Sequence, residues 1–155
     1  MTFLSEHRDF AAAVDRLRNA STVTPELVGE VIDVACPRFS SVGQRPKTAH
    51  IAQLIDARAW IDVALALIDL GLPLWHIRRI AYDAGEWYCA LSRQRELPDW
   101  LDQSIEGRHP DLALAILAAF VEAQRATASS STPSVPAVPR KLDADHIPFW
   151  CENFA

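Results

Sequence analysis

Chemistry in proteins usually depends on histidine, cysteine or carboxylate side chains held close together, and this chain carries all three types. The five histidines are His7, His50, His76, His109 and His146. No two of them have the i, i+4 spacing that places two ligands on one face of a helix, so the sequence predicts surface or capping histidines and no metal site. Glycine is scarce, with five residues and no phosphate-cradling pattern, which argues against a nucleotide cofactor.

Nucleophilic and acid–base chemistry find little support either. The cysteines show neither a disulfide framework nor zinc-ligand spacing, as in proteins of a reducing cytosol; they are Cys36, Cys89 and Cys151. Cys89 falls on a strand face that we expect to be buried, where a thiol acts as a small hydrophobic group. Carboxylate pairs such as Glu26/Glu30 fall at helix starts, where the acid is solvated and favoured by the helix dipole. The sequence therefore predicts no catalytic residue.

Basic and aromatic side chains alternate in one stretch of the chain. The candidate interaction residues in this stretch are Trp75, Arg78, Arg79, Tyr82 and Tyr88. A strand surface of this kind can stack single-stranded bases. The net charge of −5 argues against general nucleic-acid binding, because that function needs a basic surface. We therefore interpret the stretch as a structural or partner-binding face.

A β-hairpin must position these residues. Its turn lies at Asp83-Ala84-Gly85, and two registers are open: a two-residue turn at Ala84-Gly85, or a three-residue turn in which Gly85 forms a bulge. Both registers place Trp87, Cys89 and Leu91 on one face, which we predict to be buried. Two strands alone are marginally stable in water, so the hairpin must lie on helices.

The remaining patterns predict helices. Helical signals begin at Ser5 and at Thr24-Pro25, a long apolar helix runs from Thr48 to Gly71 with a bend near Ala57, and the last helix runs from Leu112 to Arg125. The predicted fold class is α+β: helices packed on a two-stranded antiparallel hairpin in the order α-α-α-β-β-α, followed by an extended C-terminal tail.

Composition divides the chain into a domain, a linker and a tail. The predicted boundaries are 1–125 for a single α+β domain, comprising a helical N-terminal segment 1–47 and a helix-hairpin-helix core 48–125, then a Ser/Pro linker 126–139 and an aromatic-acidic tail 140–155. Within the domain, Glu96–Arg108 is predicted to be a polar connection. No segment has the length and apolarity of a membrane span, and no secretory signal is present, so we expect a soluble cytoplasmic protein.

The tail contains several large aromatic side chains, whereas the linker before it contains none. The candidate interaction residues are Phe149, Trp150 and Phe154. Leaving several aromatic side chains in water is unfavourable by a few kcal/mol, at about 1.5–3 kcal/mol each, so we expect them to dock. The docking site is open between the chain's own domain, a sister subunit and another protein; we favour the first two because unpartnered aromatic side chains promote aggregation.

The order helix, hairpin, helix, with Trp75 opening the first strand, Gly85-Glu86-Trp87 at the turn and Leu112-Ala-Leu-Ala-Ile-Leu in the last helix, resembles a group of uncharacterised small proteobacterial proteins. It is more loosely similar to phage-type α-β-β-α sandwich domains. The resemblance covers Ile51 to Arg125 and implies the fold but no activity.

The functional prediction is a small non-catalytic protein-interaction or adaptor protein that uses the hairpin face and the aromatic tail. Its partner is a protein or a second copy of itself, since edge-to-edge pairing of two hairpins would give a four-stranded sheet in a homodimer. The alternative is a small-molecule binder or enzyme with a site between the hairpin and the last helix, lined by residues such as Trp75, His76 and Trp87.

Overall fold

Five α-helices and a three-stranded antiparallel sheet form the part of the chain that the computed structural model describes, residues 3–93 and 104–130. The elements in chain order are α1 (Phe3–Asn19), α2 (Pro25–Ala35), a 3-10 turn (Val42–Gln44), α3 (Arg45–Asp56), α4 (Trp60–Gly71), β1 (His76–Asp83), β2 (Glu86–Ser92), β3 (Ile105–His109) and α5 (Leu112–Ser130). The α+β class is confirmed.

Capping side chains start two of the helices where the sequence predicts them. The Thr24 hydroxyl accepts a hydrogen bond from the Leu27 amide at 3.2 Å, and Pro25 occupies the first helical turn, where it needs no amide partner. At α5 the Asp111 carboxylate accepts from the Leu114 amide at 3.1 Å. These bonds satisfy amides that a helix start otherwise leaves unpaired.

The predicted long third helix is two helices in the structure. α3 ends at Asp56 and α4 begins at Trp60, so the predicted bend near Ala57 is a complete break. Arg58 adopts a φ of 54°, a left-handed conformation that no helix interior accepts. The apolar pattern did not show this break, because the apolar residues from Ile51 to Leu70 together form one broad stripe in the sequence.

The hairpin has the two-residue turn. Tyr82 pairs with Trp87 and Asp83 with Glu86, and Ala84 and Gly85 have φ values of 52° and 89°, as a type I′ turn requires. The three-residue alternative is therefore excluded. A β-bulge interrupts the pairing between Ile77 and Arg79.

The prediction of a two-stranded sheet is wrong, because β3 pairs antiparallel with β2 and gives the order β1-β2-β3. β3 lies in the segment predicted as a polar connection. Its buried and exposed residues alternate as a strand should: Ile105 half-buried, Glu106 exposed, Gly107 buried, Arg108 exposed and His109 buried. The pattern was hidden because glycine and histidine occupy two of the three inward positions, where apolar residues are expected.

The core lies between one face of the sheet and the helices. α5 packs on β2 and β3 and also contacts α1, α2 and α4. Its residues 113–117, 119–121 and 123 are buried. The span Leu112–Ser129 is long and apolar enough to cross a membrane by composition, yet 50% of it is buried within the domain, as in the core helix of a soluble protein. α5 continues to Ser130, so the first residues of the predicted linker, from Ala126, are helical.

Candidate interaction surface

The two faces of the sheet differ in what covers them. One face, which carries Cys89, Leu91 and Gly107, lies against α5, and Cys89 and Leu91 are fully buried. This confirms the predicted burial of that side of β2, although Trp87 near the turn is only half-buried. The opposite face carries mostly exposed charged side chains, and we call it the open face. Seven of its residues line a depression: Arg79, Ala81, Asp83, Tyr88, Ala90, Glu106 and Arg108. Glu86 lies on the same face, opposite Asp83 at the turn.

The open face contains a shallow depression of about 300 Å³. Ala81 and Ala90 lie next to larger neighbours in the cross-strand rows, and their small side chains leave the space. Tyr88 stands in the middle strand, and the Arg108 guanidinium lies over its ring at 4.7 Å from the ring centre. Such a cation–π contact is favourable by about 0.5–1 kcal/mol at an exposed site.

The residues that line the depression have balanced charge, with two arginines and two carboxylates. Arg108 also forms an ion pair with Glu106 at 3.2 Å, in which both side chains are about half exposed. Among the described residues Arg79 and Asp83 form no ion pair, and both are exposed. An exposed pair contributes little to stability, so this arrangement orients Arg108 over Tyr88 more than it holds the fold.

The predicted interaction residues of the hairpin lie in four different places in the structure. Arg79 and Tyr88 lie on the open face. Tyr82 lies on the other face, 60% exposed, with its ring centre 5.1 Å from that of Trp87. Arg78 is the extra residue at the β-bulge. Trp75 is only 8% exposed and belongs to the core, so it contributes nothing to a surface.

Two residues of the open face escaped the sequence analysis. Glu106 and Arg108 belong to β3, and only the recognition of that strand would have placed them beside Tyr88. The signal was the alternation in Ile105–His109, in which the polar residues share one face. The predicted tail residues Phe149, Trp150 and Phe154 lie outside the described residues, and their docking stays a prediction.

The two described cysteines are structural. Burial raises the pKa of the Cys36 thiol to about 11 and that of the Cys89 thiol to about 11. Both thiols are therefore protonated at neutral pH, and the thiolate is the nucleophilic form. Within the described ranges no group of three histidine, cysteine, aspartate or glutamate side chains could hold a metal ion.

His109 has a structural role that the sequence analysis did not assign. It is 6% exposed, and its Nε2 lies 2.8 Å from the Ala20 carbonyl oxygen, while its Nδ1 accepts from the Asp111 amide at 2.8 Å. The second bond requires an unprotonated Nδ1, so Nε2–H donates to Ala20. The imidazole thus joins the end of α1 to the start of α5.

The space between the hairpin and α5, where a small-molecule site was the alternative, is filled by close packing. A side chain added at Gly107 would collide with the backbone of Ala115 and Ala119, so β3 and α5 lie as close as glycine permits. Cys89, Leu91 and Phe120 in this layer are fully buried. This packing does not favour a ligand site there.

A groove of about 870 Å³ lies between α3 and α4. Ile51, Leu54 and Leu65 form part of its floor, and Lys47, His50, Asp62 and Asp69 are among its polar lining residues. Among the described residues these four side chains make no hydrogen bond or ion pair with one another. A small-molecule site needs polar groups held in fixed geometry, which this groove does not provide.

Comparison of the chain with protein-family models, with curated proteins and with solved structures gave no match. The resemblance to small proteobacterial proteins therefore stays a prediction.

Proposed function

We propose that this protein is a non-catalytic protein-interaction module that binds a partner protein through the open face, with the aromatic tail as a second contact. The observation that carries the proposal is the depression in which Arg108 covers Tyr88 between Ala81 and Ala90. Tyrosine and arginine, like tryptophan, are enriched among the residues that contribute most of the binding energy at protein interfaces. A shallow surface of balanced charge suits a protein partner better than it suits a phosphate backbone.

The chemistry of the described residues agrees with a binding role. The buried thiols are protonated, and the layer between the sheet and α5 is closely packed. Single-stranded nucleic-acid binding would require Trp75 on the same surface as Arg79 and Tyr88, and Trp75 is buried. An enzyme or small-molecule binder is the less favoured alternative.

Affinity capture from native lysate with matched variants tests the proposal. Glu106→Ala/Arg108→Ala removes the ion pair on the open face, and Glu122→Ala/Arg125→Ala removes a similar pair on α5, with an Arg–Glu distance of 2.8 Å. Both double variants leave the net charge unchanged. We expect a partner that wild type and the α5 variant retain and the open-face variant loses. A partner held equally by all three, or none held by wild type, would contradict the proposal.

A second comparison separates the tail from the open face. A chain that ends at Ser130 keeps all of α5 and lacks the tail. If the tail is a second contact, this chain retains the partner more weakly than the full chain does. If the shortened chain retains the partner as strongly as the full chain does, binding involves the domain and not the tail.

A further inference from the structure

β1 is an edge strand whose outer backbone groups could pair with another strand. β1 has eight residues and lies at the outside of the sheet, so one of its two edges has no partner strand among the described residues. Natural proteins protect such edges with bulges, charges or a covering segment. The bulge at Arg78 disturbs only the start of β1, and Arg79–Asp83 pairs regularly with β2.

In this regular part of β1, the pairing with β2 determines which backbone N–H and C=O groups point away from the sheet. The type I′ turn joins Asp83 to Glu86 as a hydrogen-bonded pair, and hydrogen-bonded and non-hydrogen-bonded pairs alternate along an antiparallel ladder. The N–H and C=O groups of Ile80 and Tyr82 therefore point away from β2. The side chains of these two residues are also 41% and 60% exposed, respectively, on the side of the sheet that carries α5.

We infer that a second copy of the chain pairs on this edge, with the two β1 strands antiparallel and Ala81 opposite Ala81 of the other copy. In this register Ile80 lies opposite the other copy's Tyr82 and forms a hydrogen-bonded pair with it, twice. Arg79 lies opposite the other copy's Asp83, also twice. The product is a six-stranded sheet, larger than the four-stranded sheet expected from the sequence because β3 extends each half.

Two features select this register: the matching of faces, with the backbone pairing that accompanies it, and the matching of charges. Opposite residues of an antiparallel pair share a face, and here the apolar Ile80 and Tyr82 meet on the α5 side while the charged residues meet on the open face. The outward backbone groups of Ile80 and Tyr82 match each other. Arg79 and Asp83, which form no ion pair in the described chain, each gain an opposite charge.

Neighbouring registers lose this charge complementarity. Centring the pair on Ile80 places Arg79 opposite Ala81, and centring it on Tyr82 places Asp83 opposite Ala81. A slip of one residue in the pairing, which places Ile80 opposite Ala81 of the other copy, sets the open face of one copy beside the α5 side of the other. Asp83 also pairs with Glu86 inside the hairpin, so an arginine from the second copy relieves a contact between like charges.

Charge reversal and its restoration test the register. We expect the full-length protein to be a dimer by sedimentation equilibrium, and Arg79→Asp or Asp83→Arg alone to raise the dimer dissociation constant at least about tenfold by setting like charges opposite each other. The double variant Arg79→Asp/Asp83→Arg restores the pairs with exchanged signs and returns dimerisation. A monomeric wild type would overturn the inference, as would a dimer that both single variants leave intact.

Crosslinking gives a second measurement that does not depend on charge. Residues opposite each other in a non-hydrogen-bonded pair have Cα atoms about 4.5 Å apart, within the range of a disulfide. In a Cys151→Ser background, Ala81→Cys should therefore give a disulfide-linked dimer under mild oxidation, and Glu106→Cys on β3 should not. Equal crosslinking at both positions would contradict the register. The open-face variants used to test partner binding leave β1 unchanged, so the two proposals can fail separately.

Discussion

At the scale of single residues, Gly107 is the position where two elements, β3 and α5, come into close backbone contact. Its Cα faces the backbone of Ala115 and Ala119, and backbone atoms cannot move aside as the end of a flexible side chain can. Gly29 offers the contrast, because a Cβ there meets nothing within 4 Å. Glycine is therefore required by packing at Gly107 and not at Gly29, although the sequence alone does not distinguish the two positions.

We expect Gly107→Ala to lower the free energy of unfolding by about 3 kcal/mol or more, because the added methyl group forces β3 away from α5. Gly29→Ala should raise it by up to about 1 kcal/mol, since alanine is the better residue within α2. Urea unfolding followed by circular dichroism measures both. Equal effects of the two substitutions would show that the contact between β3 and α5 is not close.

The two buried thiols predict a loss of stability at alkaline pH. Their pKa values are raised from 9.0 to about 11 in the folded protein, so the unfolded chain releases these protons at lower pH than the folded one. The stabilising contribution is complete below pH 9 and is lost as the pH rises towards 11, at a limiting slope of about 1.4 kcal/mol per pH unit for each thiol.

Cys36→Ala/Cys89→Ala is the variant that checks this prediction. It should be less stable than wild type at pH 8, because it loses buried atoms, but its stability should fall less between about pH 9 and about pH 11. Denaturant unfolding under reducing conditions gives both curves, and each single variant should remove part of the difference. Parallel curves for wild type and the double variant would mean that other groups cause the alkaline loss.

At the scale of elements, the turn of the hairpin contains a residue under strain. Ala84 has a φ of 52°, which costs an L-residue with a Cβ about 1 kcal/mol, whereas Gly85 accepts its φ of 89° freely. Asparagine is the preferred residue before glycine in a type I′ turn. Ala84→Asn should therefore raise the free energy of unfolding by about 0.5–1 kcal/mol, measured by thermal or urea unfolding. Ala81→Asn, in the strand, should show no such gain; a gain there of equal size would indicate a general effect of asparagine.

How far each element could be predicted depended on whether its signal was local. Thr24-Pro25 and Asp111 begin helices through contacts within one turn. The position of the hairpin turn at Asp83-Ala84-Gly85 was also predicted from local residues, but the sequence left its register open. β3 could not be found by apolar periodicity, because Gly107 and His109 are inward-facing for reasons outside the strand: one admits α5 closely and the other bonds to Ala20. The open face was accordingly only half predicted, with Arg79 and Tyr88 found and Glu106 and Arg108 missed.

At the scale of the whole molecule, the sheet pairing proposed for two copies places both open faces on one side and both α5 helices on the other. Opposite residues on an antiparallel edge share a face, so the depressions around Tyr88 in the two copies would lie side by side. Two linked sites bind a partner that has two matching sites more tightly than one site does, because the second contact forms within the complex.

The remaining question at this scale is where the aromatic tail docks. Docking of the tail on its own domain or on a sister subunit would bury Phe149 and Trp150, each worth about 1.5–3 kcal/mol. Phe149→Ala/Trp150→Ala should then lower the free energy of unfolding by about 2 kcal/mol or more, measured by urea unfolding of the full chain. Val135→Ala/Val138→Ala in the linker is the matched control and should change it little. If neither variant changes stability while the tail variant loses a captured protein, the tail binds a foreign partner, and the prediction of docking within the protein is wrong.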